Sequence, residues 1–245
     1  MEKIMKNQRE TRMLSTAVFD VIRERILNGE LLPGQKLKIS QLAETHKVSL
    51  NVVREALNRL TGEQLVDLAP QQGFTVRALS EDDLIDLFAQ RIIFEGIALR
   101  QSIINGDLEW QSRVLAAHHR LSRTPAVDPE NPDRLNPEWL SRHEEFNVVM
   151  MACCGSPRLI QMVRQLAEAA ALYQRALLPT SADRAERNSE HDDLLEAILE
   201  GEADKAVVIL TRHLEQTRDV MLPVLRQGGG VPQANKRAAV QLVGK

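Results

Sequence analysis

I-L-N-G-E-L-L-P-G-Q-K-L (Ile26–Leu37), Q-L-A-E (Gln41–Glu44), V-S-L-N-V-V-R-E-A-L-N-R-L (Val48–Leu60), G-E-Q-L-V (Gly62–Val66) and Q-Q-G-F-T-V (Gln71–Val76), in this order, decide the fold. Upstream, Leu14, Val18, Val21, Ile22 and Ile26 recur at helical spacing until Asn28-Gly29, where glycine takes the left-handed position that ends a helix. Leu32-Pro33-Gly34-Gln35 is a turn. A short helix follows over about Ser40–Thr45 with Ser40 as N-cap, then a tight turn, then a second helix from Ser49 to about Gly62. Leu65–Leu68 and Phe74–Val76 read as strands, and Pro70-Gln71-Gln72-Gly73 between them has the chemistry of a hairpin loop. Three helices closed by a hairpin make a winged helix-turn-helix.

Beyond Leu79 the pattern turns wholly helical. Ser80 with Asp83 opens a long helix that Gly106 stops, and helical spacing then covers roughly 107–123, 136–153, 157–178, 184–200 and 203–225. Thr124–Pro137 is the one long loop, and Gly228-Gly229-Gly230 with Pro232 marks a polar tail. The expected fold class is mainly α, an N-terminal winged helix-turn-helix followed by an all-α C-terminal helical bundle. The expected boundaries are a disordered 1–13, a DNA-binding domain over 14–78, a helical effector-binding and dimerisation domain over 79–226, and a disordered 227–245.

Composition narrows the class. Aromatic residues are only 3% of the chain, and aliphatic side chains dominate its 43% hydrophobic content, which suits packed helices over a β-sandwich. The net charge of −3 is unevenly spread: residues 1–78 hold 12 Lys and Arg against 9 Asp and Glu, and the rest hold 19 against 25. A basic front on an acidic body fits a protein that turns one end to DNA. No apolar run of about 18 residues exists to span a membrane. The start, MEKIMKNQRETRM, has no apolar segment behind it, and the adjacent Cys153 and Cys154 suit a reducing cytoplasm.

The helix after Ser49 has the make-up of a recognition helix. Ser49 caps it, Leu50, Asn51 and Arg54 stand on its first turns where base edges and phosphates are met, and Val53, Leu57 and Leu60 form its core stripe. Gln72 and Gly73 in the hairpin loop complete the candidate DNA contacts. These segments resemble the GntR family of bacterial regulators, through Pro33, Gly34, Leu42-Ala43-Glu44, Val48-Ser49, Arg54-Glu55-Ala56-Leu57 and Gly73. The resemblance implies a homodimer on a palindromic operator in double-stranded DNA. Two departures matter. Leu50 stands where the family usually has an arginine, with Asn51-Val52 in place of Thr-Pro, so base readout leans on Asn51 and Arg54. Lys47 stands where glycine is common and offers a phosphate contact.

In the helical domain, three stripes carry polar residues inward: Leu140, His143, Asn147, Met150; His191, Leu194, Ile198; and Ala206, Leu210, His213, Thr217. Buried polar groups are costly without partners, so a shared polar cavity is expected. Arg91 and Glu95 lie on the stripe of Leu84, Phe88 and Ala98, either as an internal pair or with Arg91 gripping a ligand carboxylate. R-I-I-F-E (Arg91–Glu95), H-E-E-F-N (His143–Asn147) with C-G-S-P-R-L (Cys154–Leu159), E-H-D-D-L-L-E-A-I (from Glu190) and T-R-H-L (from Thr211) resemble the fatty-acid-regulator-like (FCD) domain of one branch of that family. The resemblance implies an organic-acid effector held by Arg91, Glu95, His143, Asn147, His191 and His213. It also implies a divalent metal, zinc or nickel, at His143, Asn147, His191 and His213. Here His replaces the usual Asp and Asn the usual His, so a hydrogen-bonded cluster without metal stands beside the metal reading. No nucleophile with its base, phosphate loop or His-Glu-x-x-His is present, so no enzyme is expected. The expected function is a transcription regulator, a repressor, controlled by a small carboxylate; the alternative is an architectural DNA-binding protein without ligand control.

Overall fold

The computed structural model describes residues 2–27, 29–71, 73–131, 135–178 and 184–227, the side chains of 2–10 and 184–188 excepted. Two compact units emerge, one built on Met1–Ser80 with Ala171–Ala176, the other on Glu81–Ala170 with Leu177–Arg226.

The first unit runs α1 (Glu2–Leu27), β1 (Lys36–Leu37), α2 (Ile39–His46), α3 (Leu50–Gly62), β2 (Val66–Ala69) and β3 (Gly73–Val76). The strands form one antiparallel sheet in the order β1-β3-β2, with Leu37 opposite Phe74 and Asp67 opposite Thr75. Ile22, Val53, Ala56, Leu57, Leu60, Leu65 and Val76 are fully buried at its centre, so the stripe of α3 is its core face as the spacing predicts. Leu172 from α7 (Pro157–Leu177) joins this core, and the Tyr173 hydroxyl accepts from the Ser80 amide and donates to the Ser80 carbonyl, each at 3.2 Å.

Three features differ from the sequence reading. α1 starts at Glu2 and not at Leu14, because the Lys, Arg, Glu and Gln of residues 2–13 are helix formers with no breaker among them. α2 starts at Ile39, capped by the extended Lys38 backbone, so Ser40 lies inside the helix. β1, only two residues long, is too short to show alternation. The tail beyond residue 227 lies outside the described residues.

The second unit is helical, with α4 (Glu81–Asn105), α5 (Leu108–Arg123), α6 (Pro137–Met150), α8 (Arg184–Leu199) and α9 (Ala203–Arg226) beside most of α7. The α4–α5 corner rests on a close approach. Trp110 is fully buried and donates from Nε1 to the Val149 carbonyl at 2.9 Å, with its ring laid over Gly106. A Cβ at Gly106 would stand 2.6 Å from the Ser102 carbonyl oxygen and closer still to the ring. Gly106→Ala should therefore destabilise the protein by about 1–3 kcal/mol, as overpacked cores do. A denaturant midpoint equal to that of the parent would show that the corner yields freely.

Candidate functional site

The candidate DNA interface is built on α3. Ser49, in extended conformation, accepts from the Val52 amide at 3.4 Å and starts the helix. That leaves Leu50, Asn51 and Arg54 on the exposed side of its first turns, with Leu50 53% exposed. Arg54 makes no hydrogen bond or ion pair among the described residues. Arg59, five residues later, is spoken for: it donates to Thr16 Oγ1 at 3.1 Å and covers the Phe19 ring at 4.0 Å. Lys47 is exposed and left-handed (φ 52°, ψ 44°), which explains why glycine serves well at this position. Gly73 (φ 82°) turns the hairpin, and Gln72 lies outside the described residues.

The second candidate site lies in the helical unit. His143 on α6, His191 on α8 and His213 on α9 converge, with ring centroids 5.0, 4.9 and 6.0 Å apart for the 143–191, 191–213 and 143–213 pairs. One nitrogen from each ring can be chosen so that all three lie within 4.8 Å of one another. The three spacings predicted from sequence thus meet at one point. Asn147, one turn along α6, stands 3.4 Å from His143 Nδ1 through its amide nitrogen. Trp139 stacks on His143, its ring centroid 5.1 Å away and nearly parallel at 18°.

Arg91 and Glu95 on α4 form a buried pair, Nε to Oε1 at 2.6 Å and Nη2 to Oε2 at 3.4 Å. The internal pair expected at this spacing is therefore present, yet it leaves Arg91 Nη1 buried with no partner among the described residues. His191 Nε2 is buried and unpartnered in the same way.

Burial sets the charge state. Desolvation, then the neighbouring His213 and Arg91, lowers the His143 pKa to about 3; desolvation and the surrounding imidazoles hold His191 well below the usual histidine range. Both rings are neutral near pH 7, so each keeps a lone pair that a metal ion can take in place of a hydrogen bond. Between 6.5 and about 3 the folded chain then binds fewer protons than the unfolded chain. The stability due to these rings is complete above that window and lost as pH falls through it. Metal-free protein should melt at progressively lower temperature as pH drops from about 7 to about 5, and His143→Leu should flatten the slope. A melting temperature constant over that range would mean the rings are solvated.

Two carboxylates escaped the sequence reading. Glu190 is buried and lies 2.9 Å from His213 Nδ1, an arrangement that directs the ring's Nε2 towards the cluster. Asp192 lies 3.0 Å from Nε2 of the buried His118, whose ring meets Phe146 edge-on. The only signal for Glu190 was its place next to His191, and an acidic residue beside an inward histidine ordinarily faces water.

The two sites fall in separately matched families. Residues 14–76 match the model of bacterial regulatory proteins of the gntR family, and residues 83–216 match the FCD domain. The chain is 34% identical over 220 residues to BphR, an HTH-type transcriptional regulator of Paraburkholderia xenovorans, covering 89% of this chain and 87% of that one. It is 32% identical to the HTH-type transcriptional repressor GlaR of Escherichia coli, covering 79% and 89%. In fold it is similar to a GntR regulator from Rhodococcus sp. RHA1 (TM-score 0.71, 22% identity, 85% of this chain and 97% of that one). It is also similar in fold to E. coli McbR (TM-score 0.69, 22% identity, 85% and 96%).

Proposed function

Since the chain belongs to the GntR family of bacterial regulatory proteins, with an FCD domain behind its winged helix-turn-helix, and is a DNA-binding transcription regulator, we propose that it is a homodimeric repressor whose operator affinity is set by a small organic acid bound, with a divalent metal, at the histidine cluster. The observation that carries this reading is the pair of buried, unpartnered atoms, Arg91 Nη1 and His191 Nε2, beside three converging imidazoles. A buried polar atom without a partner is costly, and a bound group that satisfies both removes the cost.

The donor set fits zinc or nickel. Nitrogens around tetrahedral zinc stand about 3.4 Å apart, so small side-chain rotations close the cluster on an ion. His143, His191 and His213 would hold it, with Asn147 as the fourth protein group and Glu190 orienting His213. The metal supplies positive charge at the pocket. Because none of those four side chains is anionic, that charge is left for the ligand to neutralise, and this favours a carboxylate over a neutral effector. Arg91 offers it a second cationic grip through its free Nη1.

Arg54 and Asn51 read bases, Leu50 presents an apolar surface to them, and Lys47, Gln72 and Gly73 contact the backbone. None of the described helices is long and apolar enough to cross a membrane. The test is a thermal-shift screen of organic acids with and without Zn²⁺ or Ni²⁺, since a ligand of the folded state raises its melting temperature by mass action. Acids that stabilise only the metal-loaded protein, and that change its hold on operator DNA, are the expected result. A screen in which no acid or metal shifts melting would remove the effector site.

A further inference from the structure

α4 presents an outward face that neither the core nor the histidine cluster uses. While Leu84, Phe88, Arg91, Glu95 and Ala98 are buried on its inner side, Ile93, Ile97 and Ile104 are 51%, 48% and 64% exposed on the outer one. Asp86 and Ala89 are exposed on the same side, and Arg100 is partly so. At 3.6 residues per turn these six positions fall within an arc of about 80°. Three open isoleucines in one arc are an unusual solvent surface, and apolar faces of this kind mark interaction sites.

The order of residues along the face identifies its occupant. Counting outward from Ile93, Ala89 lies four positions before and Ile97 four after; Asp86 lies seven before and Arg100 seven after. Reversing the helix about Ile93 sets Ala89 against Ile97 and Asp86 against Arg100, while Ile104 at the end of the face meets the exposed Asp82. We propose that this face joins two copies of the chain, α4 packed antiparallel on the partner's α4 about a two-fold axis through Ile93. In that arrangement Ala89 receives the partner's Ile97, Asp86 meets the partner's Arg100, and Ile93 meets its own copy. A two-fold contact repeats every pair, so each interaction counts twice. Arg100 is already held by Asp204 of α9 at 2.6 Å, which fixes its reach. Val208, one turn beyond Asp204 and 68% exposed, widens the apolar surface beside it. The helix face alone, about 27 Å long and roughly 10 Å wide, falls short of the ~800 Å² per partner of a standard interface, so this added width is needed.

This inference rests on the reading of the protein as a dimer, and the experiment separates the two. Sedimentation of the full chain at micromolar concentration is run for the parent, Asp86→Arg, Arg100→Asp and the double reversal, which all keep Asp204. Each single reversal should raise the dimer dissociation constant about tenfold, since it turns two attractive pairs repulsive, and the double reversal should recover most of the loss. In parallel, Ile93→Cys is oxidised and run without reductant beside the parent, which carries the native Cys153 and Cys154. Packed helix axes bring facing Cα atoms to about 4–5 Å, within disulfide reach, so Ile93→Cys should cross-link nearly completely. Ile104→Cys, about 33 Å from its own copy in this packing, should not. A monomeric parent would overturn both the dimer and this face. A dimeric parent whose variants dimerise equally well, with no Ile93→Cys cross-link, would place the dimer contact elsewhere and leave α4's face to another partner.

Discussion

Removing the metal from protein loaded with Zn²⁺ should lower its melting temperature by about 8–16 °C. Binding to the folded state alone stabilises by about 4 kcal/mol when free metal exceeds its dissociation constant a thousandfold. In a domain of about 150 residues each kcal/mol corresponds to about 2–4 °C. His191→Ala should take up well under one metal per chain, because it deletes a central donor whose Nε2 is already stripped of other partners. His118→Ala is the control. It breaks the His118–Asp192 pair and should lower stability, but His118 is not among the converging ligands, so metal content should hold. Elemental analysis showing no metal in the parent, and none taken up from added Zn²⁺ or Ni²⁺, would leave a hydrogen-bonded histidine cluster and nothing more.

Arg54→Ala should weaken binding to a symmetric operator by between about 30-fold and well over a thousandfold. A side chain bidentate to a base edge contributes about 1–3 kcal/mol, and a dimer uses two of them. The choice of Arg54 over the other cation of α3 follows from what each touches. Arg59 is committed to Thr16 and the Phe19 ring, whereas Arg54 is exposed with no partner among the described residues. Arg59→Ala should accordingly cost mainly folding stability. The measurement is a titration at fixed salt, since the phosphate contribution varies steeply with ionic strength. Unchanged affinity on Arg54→Ala would remove α3 as the reading element.

Much of this was legible because helices write their buried faces into the sequence at a fixed period. Ser49 before Val53, Leu57 and Leu60 located α3 to within a residue, and the inward spacing of His143, His191 and His213 brought together side chains up to 70 positions apart. What escaped lacks a period. β1 is two residues long and exists only because β3 pairs with it. Lys47 is left-handed against its own preference because the α2–α3 turn demands that conformation. Glu190 and Asp192 flank His191, where alternation along a helix sends neighbours to different faces; Glu190 is nonetheless buried because His213 of α9 stands across from it. Ala171–Ala176 group with the first unit through contacts such as Leu172, which one helical stripe cannot distinguish from core within α7 itself.

The stacking of Trp139 on His143 makes the protein its own optical probe. The chain has two tryptophans, Trp110 and Trp139, and both belong to the helical unit, so indole fluorescence is blind to the first unit by construction. Trp110 is sealed in the α4–α5 corner and should emit as a constant, blue-shifted background. Trp139 lies against the ring that is the candidate metal ligand, where ion binding or ring protonation changes quenching at van der Waals distance. Replacing Trp110 with Phe would leave a single emitter at the pocket, able to follow metal and effector titrations in real time without a dye.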